Sequence, residues 1–148
     1  PAMLQRGRHK AAGLQPVTAD ALALPFPDAS FDGAMVGWGM RNLVDLDEGL
    51  REAARVLRPG ARLAILEMSI PERQPMRGLF LWYFEQVLPR IGRLLSHHAT
   101  AYQWLPDSTR VFPGTAAVAE RMQLAGFGSI EIRCFLGGCT ALHVGVRQ

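Results

Sequence analysis

The side chains that most often bind metals, histidine and cysteine, show no ligand spacing in this sequence. His97 and His98 are adjacent, so their side chains diverge on a helix or a strand, and the other two histidines lie far away. Cys134 and Cys139 have no further ligand at zinc spacing. We therefore predict no metal site. Two cysteines are also too few for a disulfide scaffold, which favours a reducing compartment.

Motifs for nucleophiles and for phosphate binding are missing as well. No G-x-S-x-G elbow and no Walker P-loop occurs, and the G-W-G run at 37–39 lacks the third glycine of a dinucleotide fingerprint. The polar residues that remain are Asp20, at the end of a strand-like stretch, and the adjacent pair Arg41 and Asn42. Arg41 could serve in a binding site or form a buried salt bridge or cap contact. Asn42 could equally be a turn residue before a helix.

The composition predicts one soluble globular domain over residues 1–148. The chain is 49% hydrophobic and 20% charged, which suits a protein that buries a single core. Sixteen Lys and Arg against thirteen Asp and Glu give a net charge of +3, a mild excess that predicts no nucleic-acid binding. No stretch reaches the ~18 apolar residues that a membrane span needs.

The alternation of strand-like and helical segments predicts an α/β fold with a parallel sheet. Apolar runs at 15–18, 31–36 and 62–67 indicate strands, and residues 2–12 have helical composition. Prolines make the stretch from 20 to 30 an ordered loop. A helix between the last two runs completes a strand–helix–strand unit.

That helix is the clearest element of the sequence. Asp45 and Glu48 form a capping-box pair at its start, and Pro59-Gly60 ends it. Its apolar face is predicted to point into the core and comprises Leu46, Leu50, Ala53 and Leu57. Its charged face is predicted to be solvated and comprises Arg51, Glu52, Arg55 and Arg58.

An apolar insertion follows the third strand, over about residues 71–112. Leu79, Trp82 and Tyr83 lie on one wide helical stripe within it. This stripe could pack on the core or act as a lid-like cover for a ligand.

The end of the chain predicts a helix followed by an antiparallel hairpin. The helix begins at a Thr115 N-cap and ends at Gly126. Strand-like runs at 130–134 and 140–146 then flank Gly137-Gly138, a pair typical of a tight turn.

Five short segments give the sequence a specific resemblance. They are Leu24–Asp28 with Phe31-Asp32 after it, Gly39–Asn42, Arg55–Gly60, Val87–Gly92 and Ala141–Gly145. The first resembles the central block of class I S-adenosylmethionine-dependent methyltransferases. With the other four, the whole chain resembles the ubiquinone/menaquinone biosynthesis C-methyltransferase family. The resemblance implies a Rossmann-like class I methyltransferase sheet, of which this chain carries the C-terminal part with the terminal antiparallel hairpin.

The resemblance also implies roles for five residues. Asp20 and Ala21 match the pair that contacts the adenine of S-adenosylmethionine, where the carboxylate accepts from the amino group and the next N–H donates to the ring. Gly37 falls where relatives carry a serine that faces the cofactor. Arg41 and Asn42 match the pair beside the substrate ring, where they order a water or polarise a quinol oxygen.

The reaction that the family implies is methylation of a ring carbon of a polyprenylated quinol by in-line displacement. Ionising the quinol hydroxyl makes that carbon electron-rich, and because phenols have a pKa near ~10, a positive charge beside the oxygen favours the reaction. We expect Arg41 to supply that charge and a water to move the proton. The implied enzyme is cytoplasmic, peripheral to the inner face of the membrane, with the apolar insertion near the lipid tail.

Two features of the family are not found in this sequence. They are the glycine-rich loop after the first strand and the acidic residue that holds the ribose, and the first strands are absent with them. We therefore expect this chain to bind S-adenosylmethionine weakly. We also expect the strand at 31–36 to have an open edge, through which the chain could form a homodimer.

Two other functions stay open from the sequence. The chain could be a class I methyltransferase for another small apolar acceptor, or a non-catalytic fragment or binding module that lacks the glycine-rich cofactor loop. Titration with S-adenosylhomocysteine separates the enzymes from the module, and analysis of methylated quinols separates the two enzymes.

Overall fold

The computed structural model describes Gly13, residues 15–88, Arg90 and residues 107–148. These residues form a four-stranded sheet with helices on one face. The predicted helix at 2–12 and the continuation of the apolar insertion over 91–106 lie outside the described residues.

The sheet combines a parallel pair with an antiparallel hairpin. Its strands are β1 (Phe31–Gly37), β2 (Leu57–Met68), β3 (Phe127–Phe135) and β4 (Thr140–Arg147), in the spatial order β1–β2–β4–β3. β1 runs parallel to β2, and β4 runs antiparallel to both of its neighbours. The predicted α/β class and the C-terminal hairpin are therefore confirmed. At the hairpin turn Gly137 and Gly138 have φ values of 68° and 98°, which only glycine adopts freely.

The strand predicted at 15–18 does not form. Near it, the described backbone makes a single bridge between Asp20 and Ala23, and β1 has a paired neighbour only on its β2 side within the described ranges. An apolar run becomes a strand only when another backbone pairs with it, and periodicity alone does not supply that partner. The prediction is wrong for this reason.

Three of the helices in the described part of the chain connect and cover the strands. They are α1 (Leu46–Val56), α2 (Met76–Trp82), which a π-helical turn at Tyr83–Val87 extends, and α3 (Thr115–Leu124). The capping box is confirmed, because the Asp45 carboxylate accepts from the Glu48 N–H at 2.9 Å. The cap of α3 is Gly114 instead of Thr115. The Thr115 hydroxyl instead donates at 3.1 Å to Oε1 of Glu72, a residue outside the helix.

The core lies between the sheet and the helices α1 and α3. Its fully buried side chains include Leu50 of α1, Leu63 and Ile65 of β2, Met122 of α3 and Phe127 of β3. The opposite sheet face is open, and Met35 on that face of β1 is 85% exposed. Because side chains alternate along a strand, the two faces have different environments throughout.

His143 is a polar residue on the covered face. Its imidazole is buried in β4, and Nε2 donates to the Thr115 carbonyl at 2.9 Å. Burial lowers the pKa of His143, since a charged imidazole would lose its hydration there. The hydrogen bond to Thr115 opposes that effect only in part.

The apolar insertion packs through side chains other than the predicted stripe. Phe80 and Phe84 are buried and stack with ring centroids 4.3 Å apart. Leu79, Trp82 and Tyr83 remain 58%, 58% and 42% exposed. The stripe is therefore not core, and no helix among the described residues is long and apolar enough to cross a bilayer.

Gly49 brings α1 close to two turns. A Cβ at this position would overlap Leu43 Cδ1 and would lie 3.5 Å from Leu22 Cδ2. Leu22 follows the turn at Asp20 and Ala21, and Leu43 follows a 3-10 turn at Met40–Asn42. A glycine here allows both turns to rest on the same helix.

Gly49→Ala should lower the free energy of unfolding by about 1 kcal/mol, because overpacking exceeds the gain in helix propensity. Chemical denaturation measures this change. Gly78→Ala is the matched control, since a Cβ in α2 would meet only the flexible end of Gln74, and it should leave stability unchanged or raise it. Equal stabilisation by both substitutions would show that the Gly49 contact is unimportant.

Candidate functional site

The candidate site lies where β1 and β2 end. Parallel strands have their carboxyl ends at one edge of a sheet, and ligands of open α/β sheets bind outside that edge. The loop at 37–42 follows β1, and Glu67 and Met68 end β2. The register places Gly37 opposite Leu66, so the two chain ends lie side by side.

The loop after β1 turns sharply at Trp38. This residue has a φ of 51°, which is uncommon for an aromatic residue, and its N–H donates to the Leu66 carbonyl at 2.9 Å. Gly37 is exposed, and no atom lies within 4 Å of the position that a Cβ would take. The serine hydroxyl of the resembled family therefore has no counterpart here, and the space next to Gly37 that such a side chain would take is open.

Arg41 forms a buried ion pair. Its Nη1 donates to Glu67 Oε1, and its backbone N–H donates to Glu67 Oε2 at 3.3 Å. The side chains are 12% and 2% exposed. The salt-bridge alternative for Arg41 is thus observed. It is compatible with a role in a site, because Arg41 also lines a cleft.

Asn42 completes the same turn. Its N–H donates to the Gly39 carbonyl at 3.1 Å, and its side-chain amide donates to the Trp38 carbonyl at 3.4 Å. The side chain is exposed beside Arg41. The turn role considered for Asn42 is therefore present in the structure.

Asp20 and Ala21 form an exposed turn with adjacent donor and acceptor groups. Asp20 Oδ1 accepts from the Leu22 N–H at 2.9 Å, which leaves the second carboxylate oxygen accessible. The Ala21 N–H has no hydrogen-bond acceptor in the described part of the chain. An acceptor followed by a free N–H is the set that the amino edge of adenine requires, so these two residues fit the implied cofactor.

A charged pair on α1 fixes the loop that follows this turn. Glu52 accepts from the Leu24 N–H at 2.6 Å and pairs with Arg55 at 2.7 Å. Arg55 also pairs with Asp28 at 2.6 Å and donates to the Phe26 carbonyl at 2.9 Å. The hydrogen bond between the pair lowers the pKa of Glu52 and raises that of Arg55. The helical pattern predicted a solvated Glu52, but the loop covers it.

The structure thus brings the predicted site residues to one region. Gly37, Arg41 and Asn42 share the loop after β1. The turn at Asp20 and Ala21 is joined to that loop through Leu22 and Leu43, which both lie over Gly49. Gly49 and Glu67 are not among the residues predicted from the sequence, because Leu22 reaches Gly49 and Arg41 reaches Glu67 from distant parts of the chain. The individual roles of the five residues stay predictions.

Two clefts flank the loop at 37–42. The first has a volume of about 400 Å³ and is mostly apolar, with Arg41 in its wall. Its lining residues are Met40, Arg41, Leu43, Val44, Leu46, Asp107, Ser108, Val111, Phe112, Pro113 and Arg121. The second, of about 470 Å³, lies on the open sheet face and includes Gly37, Trp38 and Leu66.

The described residues contain no group of three or more His, Cys, Asp or Glu side chains that could hold a metal ion. Cys134 and Cys139 are free thiols. Burial raises the pKa of Cys139, which makes its thiolate less available.

The chain is similar in sequence to two longer bacterial proteins. Demethylmenaquinone methyltransferase of Mycobacterium sp. strain KMS is 39% identical over 145 residues, which cover 98% of this chain and 62% of that protein. The protein of the same name from Thermus thermophilus is 42% identical over 151 residues, covering 99% of this chain and 68% of that one. The chain therefore spans 62% to 68% of the length of these relatives.

Solved structures share the fold at lower identity. A SAM-dependent methyltransferase of Thermotoga maritima has a TM-score of 0.70 at 18% identity, covering 99% of this chain and 70% of that one. A SAM-dependent methyltransferase of Aquifex aeolicus has a TM-score of 0.64 at 16% identity, and the match covers 99% of this chain and 62% of that one. The predicted class I methyltransferase fold is confirmed.

The family assignment follows from the sequence match over the whole chain. The model of the ubiE/COQ5 methyltransferase family matches residues 1–147. The resemblance drawn from five short segments is thereby confirmed, together with S-adenosylmethionine as the methyl donor of this class of enzymes. The chain belongs to the ubiE/COQ5 methyltransferase family.

Proposed function

We propose that this chain carries the acceptor site and the adenine-binding turn of an S-adenosylmethionine-dependent enzyme that methylates a ring carbon of a polyprenylated quinol. The observation that carries the proposal is the cleft of about 400 Å³, whose mostly apolar wall contains Arg41. The names of the relatives favour a naphthoquinol over a benzoquinol, and hence a step of menaquinone rather than ubiquinone biosynthesis.

The lining of this cleft suits a quinol ring. Small-molecule sites are concave, mostly apolar and supplied with a few polar groups that fix orientation. Met40, Leu43 and Phe112 offer apolar contact, and Arg41 offers N–H donors at one wall. A flat ring with a hydroxyl needs both features.

Arg41 is suited to stabilise charge on the quinol oxygen and unsuited to act as a base. A guanidinium stays protonated at neutral pH and has no acceptor atom. Its planar N–H groups are held in place before the reaction, and such preorganised donors stabilise charge as it develops. We assign to Asn42, the exposed residue next to Arg41 on the same turn, the orientation of a water.

We assign the cofactor to Gly37 and to the turn at Asp20 and Ala21. When bound, S-adenosylmethionine supplies an electrophilic methyl group on its sulfonium. The Asp20 carboxylate and the Ala21 N–H would hold the adenine edge, and the open space at Gly37 allows close approach to the backbone.

The exposed stripe of α2 is proposed to lie against the inner face of the membrane, where a polyprenyl tail resides. Leu79, Trp82 and Tyr83 are exposed on one side of the segment, and Arg73 and Arg77 are exposed beside them. Tryptophan and tyrosine favour the interface between lipid and water, and arginine favours anionic headgroups.

Asp20→Ala should weaken S-adenosylhomocysteine binding by ~1–3 kcal/mol, since the adenine amino group would lose its hydrogen bond to a charged acceptor. Isothermal calorimetry at high ligand concentration measures the change. Asp32→Ala is the control, because that exposed carboxylate pairs with Arg58 at the other end of β1. Unchanged affinity in the Asp20 variant would refute this assignment.

Arg41→Lys should lower turnover by about tenfold or more and leave S-adenosylhomocysteine affinity unchanged, because a point charge does not reproduce a planar fork. The assay uses a reduced 2-prenyl-1,4-naphthoquinol and detects the methylated ring by mass spectrometry. The exposed Arg62 provides the control substitution Arg62→Lys. An equal loss of cofactor affinity would mean that Arg41 has only a structural role.

Replacing both Leu79 and Trp82 by serine should reduce binding to vesicles of phosphatidylcholine and phosphatidylglycerol by about tenfold, because two apolar side chains lose their contact with lipid. Vesicle sedimentation measures the bound fraction. Leu124→Ser removes a leucine from α3 that is even more exposed, at 83% against 58% for Leu79, and should have no effect. If the bound fraction is the same in all three proteins, the stripe does not contact the membrane.

A further inference from the structure

Glu67 is a buried carboxylate whose hydrogen bonds converge on the candidate site. It accepts from Arg41 Nη1, from the Arg41 N–H at 3.3 Å and from the Met68 N–H at 2.9 Å. Its side chain is 2% exposed. One carboxylate therefore fixes the backbone of the turn at 40–42, the guanidinium on that turn and the end of β2.

The position of Glu67 in β2 is unfavourable except for these contacts. Residues 63, 65 and 67 share the covered face of the strand, and the first two are fully buried hydrophobic side chains. A carboxylate on such a face needs an opposite charge and additional donors to offset its lost hydration. Arg41 supplies the charge, and two backbone N–H groups supply the rest.

The ion pair also determines what Arg41 can offer a ligand. The Nη1 of Arg41 donates to Glu67, and the buried Nε of Arg41 has no hydrogen-bond acceptor among the described residues. The pair is neutral overall, so the cleft beside it can accept an uncharged quinol without burying a lone charge. Charge that develops on the ring oxygen would then meet oriented N–H donors.

From these contacts we propose that Glu67 is a positioning residue for the methyl transfer and acts through Arg41. It holds the guanidinium at the wall of the cleft in the orientation that stabilises the quinol oxygen. This proposal rests on the proposed function, because it requires that Arg41 face the acceptor.

A double-mutant cycle on turnover tests whether Glu67 acts through Arg41. Glu67→Gln keeps the size of the side chain but removes the charge and one acceptor, and it should lower kcat by at least about tenfold with the KM for S-adenosylmethionine unchanged. In the Arg41→Lys background the same substitution should change kcat by less than about threefold. An equal fold-loss in both backgrounds would overturn the proposal.

An NMR measurement separates this proposal from the proposed function. In the wild-type chain the Nε–H signal of Arg41 should exchange slowly with water, and Glu67→Gln should accelerate that exchange. Glu131→Gln on β3, an exposed carboxylate paired with Arg133, should leave the signal unchanged. Slow exchange retained in the Glu67 variant would show that this carboxylate does not hold Arg41.

The combined outcomes are distinct. If Arg41→Lys leaves turnover unchanged, the proposed role of Arg41 is wrong whatever the exchange rates show. If Arg41→Lys lowers turnover but Glu67→Gln does not, only the positioning role fails. Should Glu67→Gln not fold, Glu67→Asp keeps the charge at a shorter reach and should give a smaller kcat loss of the same kind.

Discussion

The parallel pairing of β1 with β2 is the constraint on which the rest of the structure depends. It places Gly37 opposite Leu66, so the chain that leaves β1 must pass the last residues of β2. Alternation along β2 turns Glu67 toward the apolar core, where an unpaired carboxylate would cost several kcal/mol. Arg41 lies on the loop after β1 and pairs with this carboxylate, which offsets that cost. The strand register therefore brings the two partners of the ion pair together.

The helix α1 supports both halves of the candidate site from one side. Gly49 lets the two turns approach, while Glu52 and Arg55 hold the loop at 24–28. The contacts of Glu52 and Arg55 with this loop join residues more than 20 positions apart, unlike the exposed pair of Arg51 and Glu48, which lies within one helical turn. Exposed ion pairs contribute only ~0–1 kcal/mol to the free energy of unfolding. The interior pair of Arg41 and Glu67 instead determines where a loop lies.

The sequence predicts the elements whose signals are local and fails where a distant partner decides. The Asp45 cap needs only the next three residues, and it is present as predicted. Thr115 has the side chain of a cap, but Glu72 from another segment takes its hydroxyl. Glu52 falls on the polar side of a helical pattern, yet a loop 28 residues away covers it. The importance of Glu67 could not be inferred from the strand pattern, because its partner lies 26 residues earlier.

The central claim is that the turn at Asp20 and the loop at 37–42 form one ligand site at the carboxyl ends of β1 and β2. Titration of the ¹⁵N-labelled chain with millimolar S-adenosylhomocysteine tests it most directly, because amide shifts report binding and location together. The shifts should be concentrated at residues 20–22, 37–42 and 67–68, with the β3–β4 hairpin unaffected. Shifts confined to the hairpin, or the absence of any saturable shift at these three segments, would contradict the claim.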